Sequence, residues 1–229
     1  MSTLSALPAM PMSVQLINLM ASLMLLIAFA MLAQRRIRSL IYLFAWQGAV
    51  LAVNCLIVAW YTGHGELYLS AFFTVLLKVI ALPLVLHYLI RKLDIQWDVE
   101  TLINIPTTML AGIVLVVFAF NLALPISQLA GTITRGTLGI AIAVVLLAFL
   151  MMITRRKAVP QVIGFLAMEN GLFFAATSAT YGMPMVVELG ILLDVLMGVL
   201  ILGIFFFHVR EAFDSLDLKH MEKLKESGE

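Results

Sequence analysis

A chain of 229 residues that is 63% hydrophobic and only 12% charged, with a mean hydropathy of +1.08, is too apolar for a water-soluble domain. Its net charge of +1 excludes the electrostatic footprint of a nucleic-acid binder. Its single cysteine, Cys55, lies in an apolar run and excludes an intrachain disulfide.

A membrane-spanning helix needs about 20 predominantly apolar residues. Seven segments qualify: 12–33, 39–61, 67–90, 105–124, 137–154, 159–180 and 184–209. The first is too long for the apolar part of a signal peptide and has no Lys or Arg before it, so it is expected to be retained. No extended alternation of polar and apolar residues points to a barrel. Backbone groups in lipid must be satisfied internally, so the expected fold is all-α, a polytopic transmembrane bundle of seven helices.

Helix one ends in Arg35, Arg36 and Arg38. Helix two carries Ala45-Trp46-Gln47-Gly48. Helix three carries Lys78, Pro83 and His87 and ends in Arg91 and Lys92. Residues 91–104, with Trp97 and three acids, are expected at the membrane interface. Helix five is the shortest and is followed by Arg155, Arg156 and Lys157. Helix six carries Glu169. Helix seven carries Glu188 near one end, Asp194 centrally and His208 near the other end, and a polar tail from Glu211 to Glu229 follows. The basic clusters all fall on one side and Arg135 lies on the other, so the N-terminus is expected outside and the C-terminus in the cytoplasm.

Lys78, Glu169 and Asp194 are the informative residues. A charge near the centre of a spanning helix costs about 2.5–3.5 kcal/mol on insertion scales, and such residues by default line a path for ions or protons. Each also has a structural reading. Glu169 is followed by Asn170 and Gly171, and Asp194 is flanked by Gly190 and Gly198, so both faces suit close helix packing. Lys78 can be a relay member or simply the ion-pair partner of an acid. Pro83 removes one backbone hydrogen bond and clashes near the Val79 carbonyl, which predicts a kink beside Lys78. A tolerated membrane proline is the plain alternative. His87 and His208 sit at cytoplasmic helix ends, where they fit either proton hand-over or interfacial polar tips. Glu188 is placed to reach the headgroups.

The pattern also fits a 3+1+3 parallel repeat. Ala45-Trp-Gln-Gly48 parallels Ala167-Met-Glu-Asn-Gly171, which sets Gln47 near the Glu169 position. Thr74-Val-Leu-Leu-Lys-Val-Ile parallels Gly190-Ile-Leu-Leu-Asp-Val-Leu, which sets Lys78 at the Asp194 position. The corresponding units are residues 1–104, a spacer helix at 105–135, a three-helix unit at 136–212 and a tail at 213–229. There is no phosphate-binding glycine loop, no Cys pair for zinc or iron–sulfur and no paired His for haem, so no catalytic site is expected in this chain.

The C-terminal helices resemble the K subunit of respiratory complex I. Arg155–Lys157 matches its internal basic loop. Gly164-Phe-Leu-Ala-Met-Glu-Asn-Gly171 matches its first glutamate helix. Ile191-Leu-Leu-Asp-Val-Leu-Met-Gly198 matches its second, with Asp194 in place of glutamate. The whole chain resembles the hydrogenase-4 component E family of the formate hydrogenlyase class, most closely at Met168-Glu-Asn-Gly171 and Val187-Glu-Leu-Gly-Ile-Leu-Leu-Asp194. The resemblance implies a non-catalytic membrane-arm subunit in a bacterial or archaeal cytoplasmic membrane. Antiporter-like subunits and a peripheral hydrogenase arm would be its partners. Nickel–iron and iron–sulfur centres would sit on those partners, with no cofactor in this chain. Glu169 and Asp194 on adjacent helices would be coupled, because two nearby carboxylates in low dielectric do not both ionise cheaply. Two other classes compete: a subunit of a multi-subunit cation/proton antiporter, and a purely structural assembly subunit.

Overall fold

The computed structural model describes residues 12–92, 99–129 and 135–180, together with positions 190, 192, 195, 196, 198 and 199. The chain divides into two compact units, Met1–Ile191 and Leu192–Glu229. In the second unit, the described side chains of Leu192, Val195, Leu196 and Val199 are apolar and exposed.

The first unit is built from α1 (Met12–Ala33), α2 (Ile37–Thr62), α3 (Glu66–Thr74), a π-helical segment (Val75–Ala81), α4 (Leu82–Lys92), α5 (Ile105–Leu129), α6 (Arg135–Thr154) and α7 (Ala158–Thr180). The backbone stays helical through Thr74, Val75 and Leu82, so α3, the π segment and α4 form one continuous rod. Among the described residues, six helices are long and apolar enough to cross a bilayer. They coincide with the first six apolar segments of the sequence; the seventh, 184–209, falls outside the described residues except at the isolated positions. No strand occurs among the described residues, and Thr101 and Arg155 share a single antiparallel bridge.

Proline explains the π segment. Pro83 has no N–H to give the helix and its ring crowds the turn before it. Instead of a simple kink, the preceding residues widen into i→i+5 bonding, with the Leu82 N–H donating to the Leu77 carbonyl. Lys78 lies at the centre of this widened turn.

The helix ends sort into two faces. The Val99 N–H bonds to the Arg35 carbonyl (2.9 Å), Leu102 N–H to Thr154 carbonyl (2.8 Å) and Arg156 N–H to Glu100 carbonyl (3.2 Å). These bonds gather the α1–α2 turn, the segment before α5 and the α6–α7 turn on one side. It follows that α2, α5 and α7 run one way and α1, α3–α4 and α6 the other. This is the side that holds Arg35, Arg36, Arg38, Arg91 and Arg155–Lys157. On the opposite side α2 ends at Gly63, whose left-handed backbone (φ 72°) lets its N–H cap the Ala59 carbonyl.

The packing order places α2 and α7 innermost. Of the six spans they are the most buried, and α5 is the least. α1 packs on α2 and α6, the α3–α4 rod packs on α2, and α5 packs on α6. Exposed Tyr42 and Tyr88 lie toward the basic side, and exposed Trp60 and Tyr61 end α2 on the other. From Tyr42 to Tyr61 the helix rises about 28 Å at 1.5 Å per residue, close to the roughly 30 Å of bilayer hydrocarbon. These rings mark the two interfaces as an aromatic belt does.

Candidate buried polar site

Lys78, on the π segment, is 1% exposed, and Glu169, on α7, is 2% exposed. The two helices are held apart by α2, and the long lysine stem spans the gap. It can do so because α2 presents Gly48 there: a Cβ at Gly48 would lie 3.1 Å from the Lys78 Cβ. The ammonium reaches to 3.8 Å from Glu169 Oε1. It also lies 5.7 Å from the centre of the Phe173 ring, within cation–π range. The pair is therefore charge-complementary and desolvated, yet longer than a tight charge-assisted hydrogen bond.

A neutral pair lies beside the charged one. Gln47, from α2, and Asn170, from α7, are fully buried, and Asn170 Nδ2 donates to Gln47 Oε1 at 3.3 Å. The tandem comparison set Gln47 at the level of Glu169; the structure brings it to Asn170, one residue on. Gly171 lets α7 approach α6, since a Cβ there would stand 3.0 Å from both Val144 Cγ1 and Val145 Cγ2. The small residues flanking Glu169 therefore do serve close packing, and the carboxylate faces the protein interior.

The remaining sequence candidates separate. His87 is partly buried, its Nδ1 lies 3.3 Å from the Pro83 carbonyl and its ring stacks at a tilt on Tyr42 (5.6 Å). It lines an open groove of about 550 Å³ between α2 and the rod from Val79 to Arg91, with Tyr42, Tyr88 and Arg91; neither Lys78 nor Glu169 lines it. Asp194, Glu188 and His208 lie outside the described residues. Gly190, four positions before Asp194, is described: it lies against the Phe173 ring, where a Cβ would overlap. Among the described residues no three His, Cys, Asp or Glu side chains gather into a set able to hold a metal ion.

Sequence reasoning missed a second buried cation. Arg155 counted only toward the basic loop, yet it is 1% exposed. Its Nη2 donates to the Leu32 carbonyl at 2.7 Å and to the Met31 carbonyl at 3.4 Å, so it caps the last turn of α1. Gln161 Nε2 holds the Arg155 carbonyl at 2.8 Å, and Lys157 pairs with Glu100 at 3.2 Å. Burial pushes the Arg155 guanidinium below its usual value, because desolvation disfavours the charged form. The missed signal was the proximity of a six-residue α5 lead-in that folds across the helix ends, which the sequence does not display.

The uncharacterised protein Rv0085 of Mycobacterium tuberculosis (strain ATCC 25618 / H37Rv) is 31% identical to this chain over 212 residues, 92% of the chain and 96% of that protein. The chain belongs to the family of that protein. Hydrogenase-4 component E of Escherichia coli (strain K12) is 25% identical over 222 residues, 92% of the chain and 97% of that protein, and the Shigella flexneri protein of the same name matches to the same extent. The likeness thus runs from end to end of each relative. No family model and no solved structure matches the chain. Six apolar spans among the described residues fit a multi-pass membrane protein.

Proposed function

We propose that this chain is a non-catalytic membrane-arm subunit of a complex I-related, membrane-bound nickel–iron hydrogenase or formate hydrogenlyase, and that its buried ionisable groups take part in proton translocation or in coupling it to redox chemistry. The full-length likeness to hydrogenase-4 component E supports the setting. The observation that carries the role is the Lys78–Glu169 pair, 3.8 Å apart and withdrawn from solvent. A lysine and a glutamate at that range can exist as an ion pair or as a neutral pair, and the two differ by one transferred proton. Charge on a neighbouring group decides between them, which is the property a lateral relay needs. By the resemblance to the complex I K subunit, Asp194 would be the second acid of such a relay.

In this reading the chain spans the cytoplasmic membrane seven times, N-terminus outside and C-terminus inside, with the gathered basic face in the cytoplasm. Antiporter-like subunits flank it and a peripheral arm on other chains holds the nickel–iron and iron–sulfur centres. A packing role is the second reading, favoured by the glycine contacts at Gly48 and Gly171. Glu169→Gln separates the two. It keeps size and hydrogen bonding and removes the titratable proton. In the purified complex reconstituted in vesicles, the relay reading expects normal assembly and impaired proton movement per redox turnover. Normal proton movement with intact assembly would leave Glu169 a packing element.

A further inference from the structure

A second tier of buried polar side chains stands on the side of the Lys78–Glu169 pair that faces the α2–α3 turn. Asn54 on α2 is fully buried, and both its amide nitrogen and its amide oxygen find no hydrogen-bond partner among the described residues. The same holds for the hydroxyl of Ser70 on α3, 1% exposed. The helix registers bring them to one level. Gln47 meets Asn170 on the parallel α2 and α7, so Asn54 lies level with Thr177. Gly48 meets Lys78 on the antiparallel rod, so Asn54 lies close to the level of Ser70 and Thr74. Ser70, Thr74 and Lys78 follow each other at four-residue spacing on one face, each buried.

A buried amide with no partner carries an uncompensated desolvation cost. Native proteins answer that cost with internal water, which needs two to four polar partners per molecule. The two ends of the Asn54 amide and the Ser70 hydroxyl together supply that number of donors and acceptors. Beyond them, toward the α2–α3 turn, lies an apolar cluster of Ile17, Val58, Ala59 and Leu67, with Ile57 packed against it. From the level of Gln47 to that of Asn54 the helices rise about 10 Å at 1.5 Å per residue, and Thr74 is the polar rung between.

We infer that Asn54 and Ser70 hold a cluster of internal water, which Thr74 links to the Lys78–Glu169 pair and which the Ile17–Val58–Ala59–Leu67 cluster narrows, without sealing it, toward the α2–α3 turn. The column gives the pair a proton route toward the side of the α2–α3 turn. That use of the column rests on the relay role proposed above; the hydration does not.

Silver-ion blocking of introduced thiols tests it in the full-length chain in native membranes, with the natural thiol removed by Cys55→Ala. Silver reaches thiols only through water and is small enough for such a space. Ser70→Cys exchanges a single atom, Asn54→Cys is the second position, and Ala21→Cys, in the fully buried face of α1, is the dry control. After exposure the protein is denatured and its remaining free thiols are tagged with a maleimide. The expected result is that Ser70→Cys and Asn54→Cys are blocked at least about tenfold faster than Ala21→Cys, since thiol reactivity follows access. Leu67→Ser in the same background speeds them further. Blocking of both as slow as Ala21→Cys overturns the column. A misfolded variant reveals itself by exposing Ala21→Cys as well, and the other position then decides. Fast blocking combined with normal proton movement in Glu169→Gln would sustain the column and remove the relay. Slow blocking with impaired movement would do the reverse.

Discussion

Lys78 and Arg155 are both fully buried cations, and the chain treats them in opposite ways. Arg155 sits at a helix end and is held by carbonyl groups at 2.7 and 3.4 Å, neutral partners that cannot change their charge. Lys78 sits in mid-helix, on a widened π turn, 3.8 Å from a carboxylate that can. One cation staples the α1 end to the α6–α7 turn. The other faces a titratable group, as the proposed relay requires. Burial alone therefore does not distinguish the two cations; the chemistry of the partner does.

The largest break in that contrast comes from Glu169→Gln. We expect the reconstituted complex to move protons about 10²-fold less, the lower end of what a positioned proton-transfer group contributes, with assembly intact by gel filtration. Next in size is Arg155→Ala, which strips two charge-assisted bonds from the α1 end. Its expected effect is a loss of about 3 kcal/mol in stability, read as a fall of roughly 6–12 °C in melting temperature for a chain of this size, with proton movement per turnover unchanged in what remains assembled. Lys78→Met keeps the apolar stem and removes the charge. It should lower coupled activity by about fivefold, the equivalent of about 1 kcal/mol, milder than loss of Glu169. The smallest effect is on the stability of the double variant Lys78→Met with Glu169→Gln. Removing both members of a buried pair is often neutral or stabilising, so its melting temperature should equal or exceed the unmodified protein's. No such rescue exists for Arg155, whose partners are backbone carbonyls.

The parts of this arrangement that were legible in the sequence are those that stand out against lipid. Span limits follow from the length of apolar runs, so 12–33, 159–180 and their neighbours agree with α1, α7 and the other described helices. Lys78 and Glu169 are conspicuous because nothing else ionisable lies near them in their runs. Their pairing was not legible, since it depends on Gly48 clearing a path for the lysine stem past α2. Pro83 announced a disturbance, but the choice between a kink and a π turn is made by local backbone bonding. Arg155 was hidden among two other basic residues, and its depth is set by the 99–104 segment crossing over it. Asn54 and Ser70 carried no signal, because uncharged polar residues are common in membrane helices and only packing reveals which are left without a partner.

The central claim, that Glu169 changes protonation during turnover while its neighbours stay in place, is tested most directly by infrared difference spectroscopy of the intact complex between its oxidised and reduced states. The account predicts a carboxylic-acid carbonyl band that disappears in Glu169→Gln, shifts in Lys78→Met and is untouched by Arg155→Lys. A difference spectrum with no carboxyl band that depends on Glu169 would contradict it and return the Lys78–Glu169 pair to a packing role.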